Sequence, residues 1–218
     1  MSSSSLISLL HICSPVFPTG VFSHSYGCET LLEDGYADTP EGFTEYLRGV
    51  LLSGSGRTDA ALLALAYSHP ERVAYYDRLA TAMKPTSELR SASRRTGRAF
   101  LKAYLKMYPE HSPEFAELTE SNYSVMFAAA SRLLEIPLRD ALEGFLTSTL
   151  LSAVSCGIKL IPLSQLTGQQ IVRDCSGAVE ECTEYALNAD ESSVTGFSPM
   201  SDISSMRHEG QYSRMYIS

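Results

Sequence analysis

LRDALEGFLTSTLLSAV, residues 138–154, decides the fold class. In this stretch Leu138, Ala141, Leu142, Phe145, Leu146, Ala153 and Val154 recur at spacings of three and four. That spacing lines one face of an α-helix. Pro137 stands at a first helical position, where its missing N–H costs nothing, and Pro162 breaks the pattern. Upstream, Asn122 is placed to cap a helix through Met126, Phe127 and Leu134. Downstream, Gln165–Tyr185 reads as one last long helix. Pro85 opens another helix, whose apolar side holds Leu89, Phe100, Leu101, Tyr104, Leu105 and Tyr108 before Pro109 ends it. Pro113 starts a short segment.

The N-terminal part reads the same way. Pro40 fits the first turn of a helix through Phe43, Leu47, Val50 and Leu51. Gly54 and Gly56 loosen the chain, Ala60–Tyr67 resumes helix, and Pro70 marks the next start. Leu6, Leu9 and Leu10 begin a short helix, while Pro15 and Pro18 forbid regular helix through Ser14–Phe22. No run of alternating apolar and polar residues reaches strand length beside hairpin turns. The expectation is an all-α, single-domain helical bundle of about eight to ten helices over residues 1–187, followed by an irregular tail over 188–218. The tail is rich in Ser and Gly, yet Val194, Phe197, Met200, Ile203, Met206, Tyr212, Met215, Tyr216 and Ile217 are too many apolar residues for a solvated end. Two readings stay open: a segment that orders against a partner, or one packed on its own domain.

Composition bounds the function. The chain has 218 residues, 44% of them apolar and 19% charged. A chain of this length hides roughly 70% of its unfolded surface, enough for a core without staples. Seventeen basic and twenty-five acidic side chains leave a net charge of -8. Phosphate backbones need a positive surface, so nucleic acid is a poor partner. The five cysteines are odd in number and lack C-x-x-C spacing, which reads as reduced thiols in a cytoplasmic protein. No basic residue precedes the apolar run Leu6–Cys13, unlike a signal peptide, and the uncharged stretch Gly144–Ile158 is too short to span a bilayer.

No catalytic motif assembles, and no cofactor site is expected. Gly49-Val50-Leu51-Leu52-Ser53-Gly54-Ser55 has the glycines of a phosphate loop, but Ser55 stands where lysine must reach the terminal phosphates. His208-Glu209-Gly210-Gln211-Tyr212 offers one imidazole where a zinc protease needs two. His24 and Cys28 are four apart and would share a helix face, a weak two-ligand candidate for nickel or zinc. His11 and Cys13 read as core fillers, and His69 and His111 as surface residues. Arg90, Arg94, Arg98, Lys102 and Lys106 repeat every four residues, with Arg95 beside them. Thr86–Tyr108 thus holds six basic residues and one acidic, against eleven and twenty-four elsewhere. This stripe is either a solvated face or a docking strip for an acidic partner. Ser93 and Gly97 on the same helix permit close approach of another helix.

Three segments carry a family resemblance. The first is Ser14-Pro15-x-Phe17-Pro18-x-Gly20-x-Phe22-Ser23, leading to Gly27-x-Glu29. The second is Glu88-Leu89-Arg90-x-x-Ser93 with Gly97-Arg98, and later Ile136-Pro137-Leu138. The third is Ser205-Met206-Arg207-His208-Glu209-x-Gln211-Tyr212-Ser213-Arg214. Together they resemble the UreF family of urease accessory proteins, in the right order over almost the whole chain. The resemblance implies an all-helical homodimer without enzymatic activity. It implies binding to the accessory protein UreD (also called UreH), recruitment of the GTPase UreG, and support of nickel delivery to apo-urease. Carried over, Arg207, His208, Glu209, Gln211, Tyr212 and Arg214 are expected to face the partner or to hold the partner-facing conformation. Arg214 is the leading candidate for GTPase recruitment, and Pro18 and Phe22 shape a surface near the dimer or the partner. The chain departs from the family at His24-Ser25-Tyr26-Gly27-Cys28-Glu29, where Gln-Gly-Leu-Glu after an aromatic and Ser is common, and at Val21, where a second Gly is frequent.

Overall fold

The computed structural model describes residues 3–20, 25, 27–212 and 215–216. They form eleven α-helices and no strand: α1 (Ser3–Ile12), α2 (Cys28–Glu33), α3 (Pro40–Leu52), α4 (Ser55–Ser68), α5 (Val73–Met83), α6 (Ser87–Met107), α7 (Tyr123–Leu133), α8 (Leu138–Leu160), α9 (Gln165–Asp174), α10 (Ser176–Leu187) and α11 (Pro199–His208). Short 3-10 segments at Pro70–Arg72, Pro109–Phe115 and Glu191–Ser193 join some of them.

Two helices lie at the centre. Every residue of α4 from Ala60 to Ala66 is buried, as is every residue of α7 from Tyr123 to Ser131. A helix apolar all round has no face to offer water, so it sits inside a ring of others. Here the ring is α3, α5, α6, α8 and α10. Rings from several elements meet beside it: Phe100 lies 5.7 Å from Tyr123 and 5.9 Å from Phe127, and Phe145 lies 5.4 Å from Phe127, centroid to centroid. α8 is long and apolar enough to cross a membrane by length and composition alone. Half of that stretch is buried in the fold, through Ala141, Leu142, Phe145, Leu146, Leu150 and Val154 among others.

Local signals act largely where the sequence puts them. Pro40 stands at the start of α3, and the preceding Thr39 hydroxyl accepts the Gly42 N–H at 3.1 Å. Thr86, rather than Pro85, caps α6, its Oγ1 accepting the Leu89 N–H at 3.1 Å. Pro137 occupies the cap position of α8, one residue before the helix. Gly56 lies within the first turn of α4 instead of a loop, and a Cβ there would meet Leu51 Cα at 2.8 Å. The helix expected over Gln165–Tyr185 divides at Cys175, which is wholly buried. His11 is exposed, not a core filler.

Asn122 marks the start of α7 but does not cap it with its own side chain. Its amide donates to the Asp77 backbone carbonyl at 2.8 Å and to Thr81 Oγ1 at 2.8 Å. The close approach allowed by Ser93 and Gly97 falls on the same segment. A Cβ at Gly97 would meet the Ser121 carbonyl oxygen at 1.9 Å, and Ser93 Oγ accepts the Tyr123 N–H at 3.3 Å.

The C-terminal segment is more regular than its composition suggests. Tyr185 donates to the Ser193 carbonyl at 2.5 Å, Val194 is buried, and Phe197 N–H donates to the Ser53 carbonyl at 2.6 Å. α11 then packs against α2 and α6. Dispersed apolar residues do not make an isolated helix, but docking onto a body supplies the missing stabilisation.

Candidate functional site

α11 approaches the body at Gly27. That residue has φ of +83°, where a side chain is strained. A Cβ there would stand 2.9 Å from Ser205 N and 3.0 Å from the Ser201 carbonyl oxygen. The helix meets this backbone with small residues: Ser201, Ser204 and Ser205 are its buried side chains, together with His208. Ser205 Oγ lies 2.9 Å from Thr86 Oγ1, so the hydroxyl that caps α6 also touches α11.

His208 pins the end of the helix. It is wholly buried between two carboxylates. Nδ1 lies 3.0 Å from both Glu88 oxygens, and Nε2 lies 3.1 Å from Glu29 Oε2. Ionised carboxylates only accept hydrogen bonds, so the ring satisfies both when each nitrogen carries a proton. Glu29 does more. Its Oε1 accepts the Met215 N–H at 2.7 Å and its Oε2 accepts the Tyr216 N–H at 3.0 Å. One carboxylate from α2 therefore holds the tail at three residues.

Around this pin the motif residues divide. Arg207 pairs with Asp34 at the end of α2, Nη2 donating to Oδ1 at 3.0 Å. Glu209 accepts from Ser87 Oγ, and Gln211 Nε2 donates to Glu33 Oε2 at 2.5 Å. Tyr212 stands fully in solvent. Arg214, Phe22 and His24 lie outside the described residues. Pro18 is exposed in a turn whose neighbour Phe17 inserts into the core, 5.3 Å from Phe100. Cys28 is buried, and no group of three His, Cys, Asp or Glu side chains is arranged for a metal among the described residues. Sequence reasoning gave no role to Glu29 and Glu88, although both fall within the quoted segments. The available signal was Glu29, a carboxylate with no Lys or Arg anywhere before Arg48; Glu88, two residues from Arg90, carried none.

The basic stripe is not uniform. Arg90 donates to the Lys84 carbonyl at 2.8 Å, and Arg94 pairs with Glu120 at 3.2 Å. Both are half-buried, whereas Arg95, Arg98, Lys102 and Lys106 are exposed.

The outer face of α11 is inverted in polarity. Met200, Ile203 and Met206 recur every third residue and each is about half exposed (48%, 52% and 52%), with Phe197, Tyr212 and Met215 exposed beside them. Polar residues face inward and apolar ones outward. Met200, Ile203 and Met206 thus form an exposed apolar row on a docked helix.

A family model described as UreF matches residues 37–176. Curated relatives described as urease accessory protein UreF extend the likeness beyond both ends of that region. One from Haemophilus influenzae is 31% identical, covering 100% of this chain and 97% of its own length. One from Granulibacter bethesdensis is 32% identical, covering 99% and 94%. A third, from a Nostoc species, is 30% identical, covering 96% and 94%. With matches of this extent, and an all-helical fold to go with them, the chain belongs to the UreF family of urease accessory proteins.

Proposed function

We propose that this protein is a non-enzymatic scaffold of urease maturation. It binds the UreD/UreH accessory protein, recruits the GTPase UreG, and thereby supports nickel insertion into apo-urease. It works in the cytoplasm as a homodimer. The observation that carries the reading is the seated tail: α11 is fixed to the body by its polar side and presents Met200, Ile203 and Met206 outward, with Phe197 exposed just before it. Burying such a row against a partner gains roughly 25 cal/mol per Å² of apolar surface removed from water. In this reading Arg207, His208, Glu209 and Gln211 hold the partner-facing conformation, because their side chains engage the body. Tyr212 and Arg214 are left to touch the partner or the GTPase, Arg214 through the guanidinium fork that can grip several carbonyls. Pro18 and Phe22 border the dimer or partner surface. Exposed Arg98, with its neighbours Arg95, Lys102 and Lys106, offers positive charge to an acidic partner, while Arg90 and Arg94 brace the helix that carries them.

Size-exclusion chromatography of the mixed components tests the proposal. This protein and UreD/UreH are expected to co-elute, and the complex is expected to capture UreG in a nucleotide-dependent way. Three separate peaks under every nucleotide condition would refute it.

A further inference from the structure

The scaffold reading leaves a large cavity without a task. It holds about 320 Å³ between α3, the start of α4, α6, α8 and the segment that leads into α11. An apolar cavity of about 150 Å³ takes up benzene, so this one has room for a ring and a short arm. Its walls are largely hydrocarbon: Leu47, Leu51, Leu89, Phe145 and Leu146 line it and are all buried. Phe197 lines it too but is exposed, which sets an opening beside the C-terminal segment.

The charges on these walls do not balance. Asp59, Lys84 and Asp202 are the charged lining residues. Lys84 is buried and donates to Asp59 Oδ1 at 2.7 Å, and Ser124 Oγ donates to the same oxygen at 3.0 Å. That pair is neutral in sum, so Lys84 has no charge to spare for an anion. Asp202 has no such counterpart. It is half-buried on α11, and among the described residues no hydrogen bond or ion pair reaches its carboxyl. Burial alone raises that carboxyl above its ordinary 3.8. A carboxylate held away from water without a cation is costly. A second lining group is also unmet. Ser25 is 4% exposed, and its Oγ has no hydrogen-bond partner.

We infer that this cavity binds a small organic ammonium ion, an aryl ring on a short alkylamine arm, which pairs with Asp202 and finds a further acceptor in the Ser25 hydroxyl. The ring packs against the leucines and Phe145. An anion would face the Asp202 carboxylate, and a neutral molecule of the same shape would leave it unpaired. Asp202 and Phe197 belong to the C-terminal segment, so the occupied cavity joins that segment to the body. A ligand that binds only the seated arrangement shifts the equilibrium toward it. The site goes beyond the scaffold function and does not depend on it.

The test uses the full-length protein and phenethylamine at neutral pH, with no partner present. Calorimetric titration is expected to show saturable binding at one site. Phenethyl alcohol, of the same shape without the charge, and the anion hydrocinnamate are each expected to bind about tenfold more weakly or not at all. Asp202→Asn removes the charge and keeps the shape. It is expected to weaken the amine about tenfold and to erase its advantage over the alcohol. In spectra of methyl-labelled methionine, the signal of Met83 on the cavity wall is expected to shift, while that of Met107 at the far end of α6 stays. Proteolysis of the C-terminal segment is expected to slow several-fold at saturating amine. No saturable binding, equal binding of the alcohol or the anion, an amine affinity unchanged in Asp202→Asn, or an unmoved Met83 signal would each overturn the site. Cleavage unchanged by bound amine would overturn the link between the tail and the cavity.

Discussion

Asp77 is a single side chain that replaces a helix cap. It is 1% exposed on α5, and its two oxygens accept the N–H groups of Glu120 (3.0 Å), Ser121 (2.8 Å) and Asn122 (2.8 Å) ahead of α7. Those donors lie in the loop that leads into α7, where no helical carbonyl is placed to accept them. Asp77→Ala strands them out of water, at about 3 kcal/mol or more. For a chain of this size the melting temperature is expected to drop by roughly 6–12 °C in a thermal scan. His208 acts at the same scale on the tail. His208→Ala leaves Glu29 and Glu88 buried without their shared partner, and breaking a buried pair in this way costs about 3–5 kcal/mol. The C-terminal segment is expected to become sensitive to limited proteolysis while far-UV circular dichroism keeps most of its helical signal. A tail as resistant as wild type would show that the carboxylates do not depend on the ring.

α11 is the element whose two sides make opposite predictions. Ile203 is 52% exposed on the outer row, so Ile203→Asp is expected to change stability by no more than about 0.5 kcal/mol, as surface substitutions do. Pull-down of UreD/UreH is nevertheless expected to fail, because a carboxylate would be buried in the contact. Asp202 lies in the first turn, partly buried against the cavity, and burial raises its carboxyl above the ordinary 3.8. The folded state thus holds this proton longer than the unfolded chain does. Folding stability attributable to Asp202 is full below 3.8 and is lost as pH rises through the higher folded value. Asp202→Asn is therefore expected to match wild type in strong acid and to exceed it at neutral pH, in melts recorded across that range. A wild-type advantage at neutral pH would mean that attraction to the helix N-terminus outweighs burial.

The whole molecule is held by the ring of helices about α4 and α7. Phe100 shows how far one side chain reaches: its ring lies 5.3 Å from Phe17, 5.9 Å from Tyr104, 5.7 Å from Tyr123 and 5.9 Å from Phe127. It is fully buried, so Phe100→Ala opens a cavity shared by the proline loop, α6 and α7. The cost is about 3–5 kcal/mol, and thermal unfolding is expected to fall by roughly 10 °C. The surface of the same assembly is uneven in charge, since the exposed end of α6 carries Arg95, Arg98, Lys102 and Lys106 on a chain of net charge -8.

Periodicity and proline placement alone determined the helical class, the central part of α8 and the helix starts near Pro40 and Asn122, because those signals act within a few residues of the chain. The motif around His208 was likewise legible as a motif. Its partners were not. Glu29 and Glu88 stand far from it in sequence, and only the crossing of α2, α6 and α11 sets them on either side of the ring. The same distance in chain hid the acceptor for Asn122, the division at Cys175 and the order within the tail. Each depends on what lies opposite in space, where burial makes an unmet hydrogen bond costly, and a linear pattern carries no record of that neighbour.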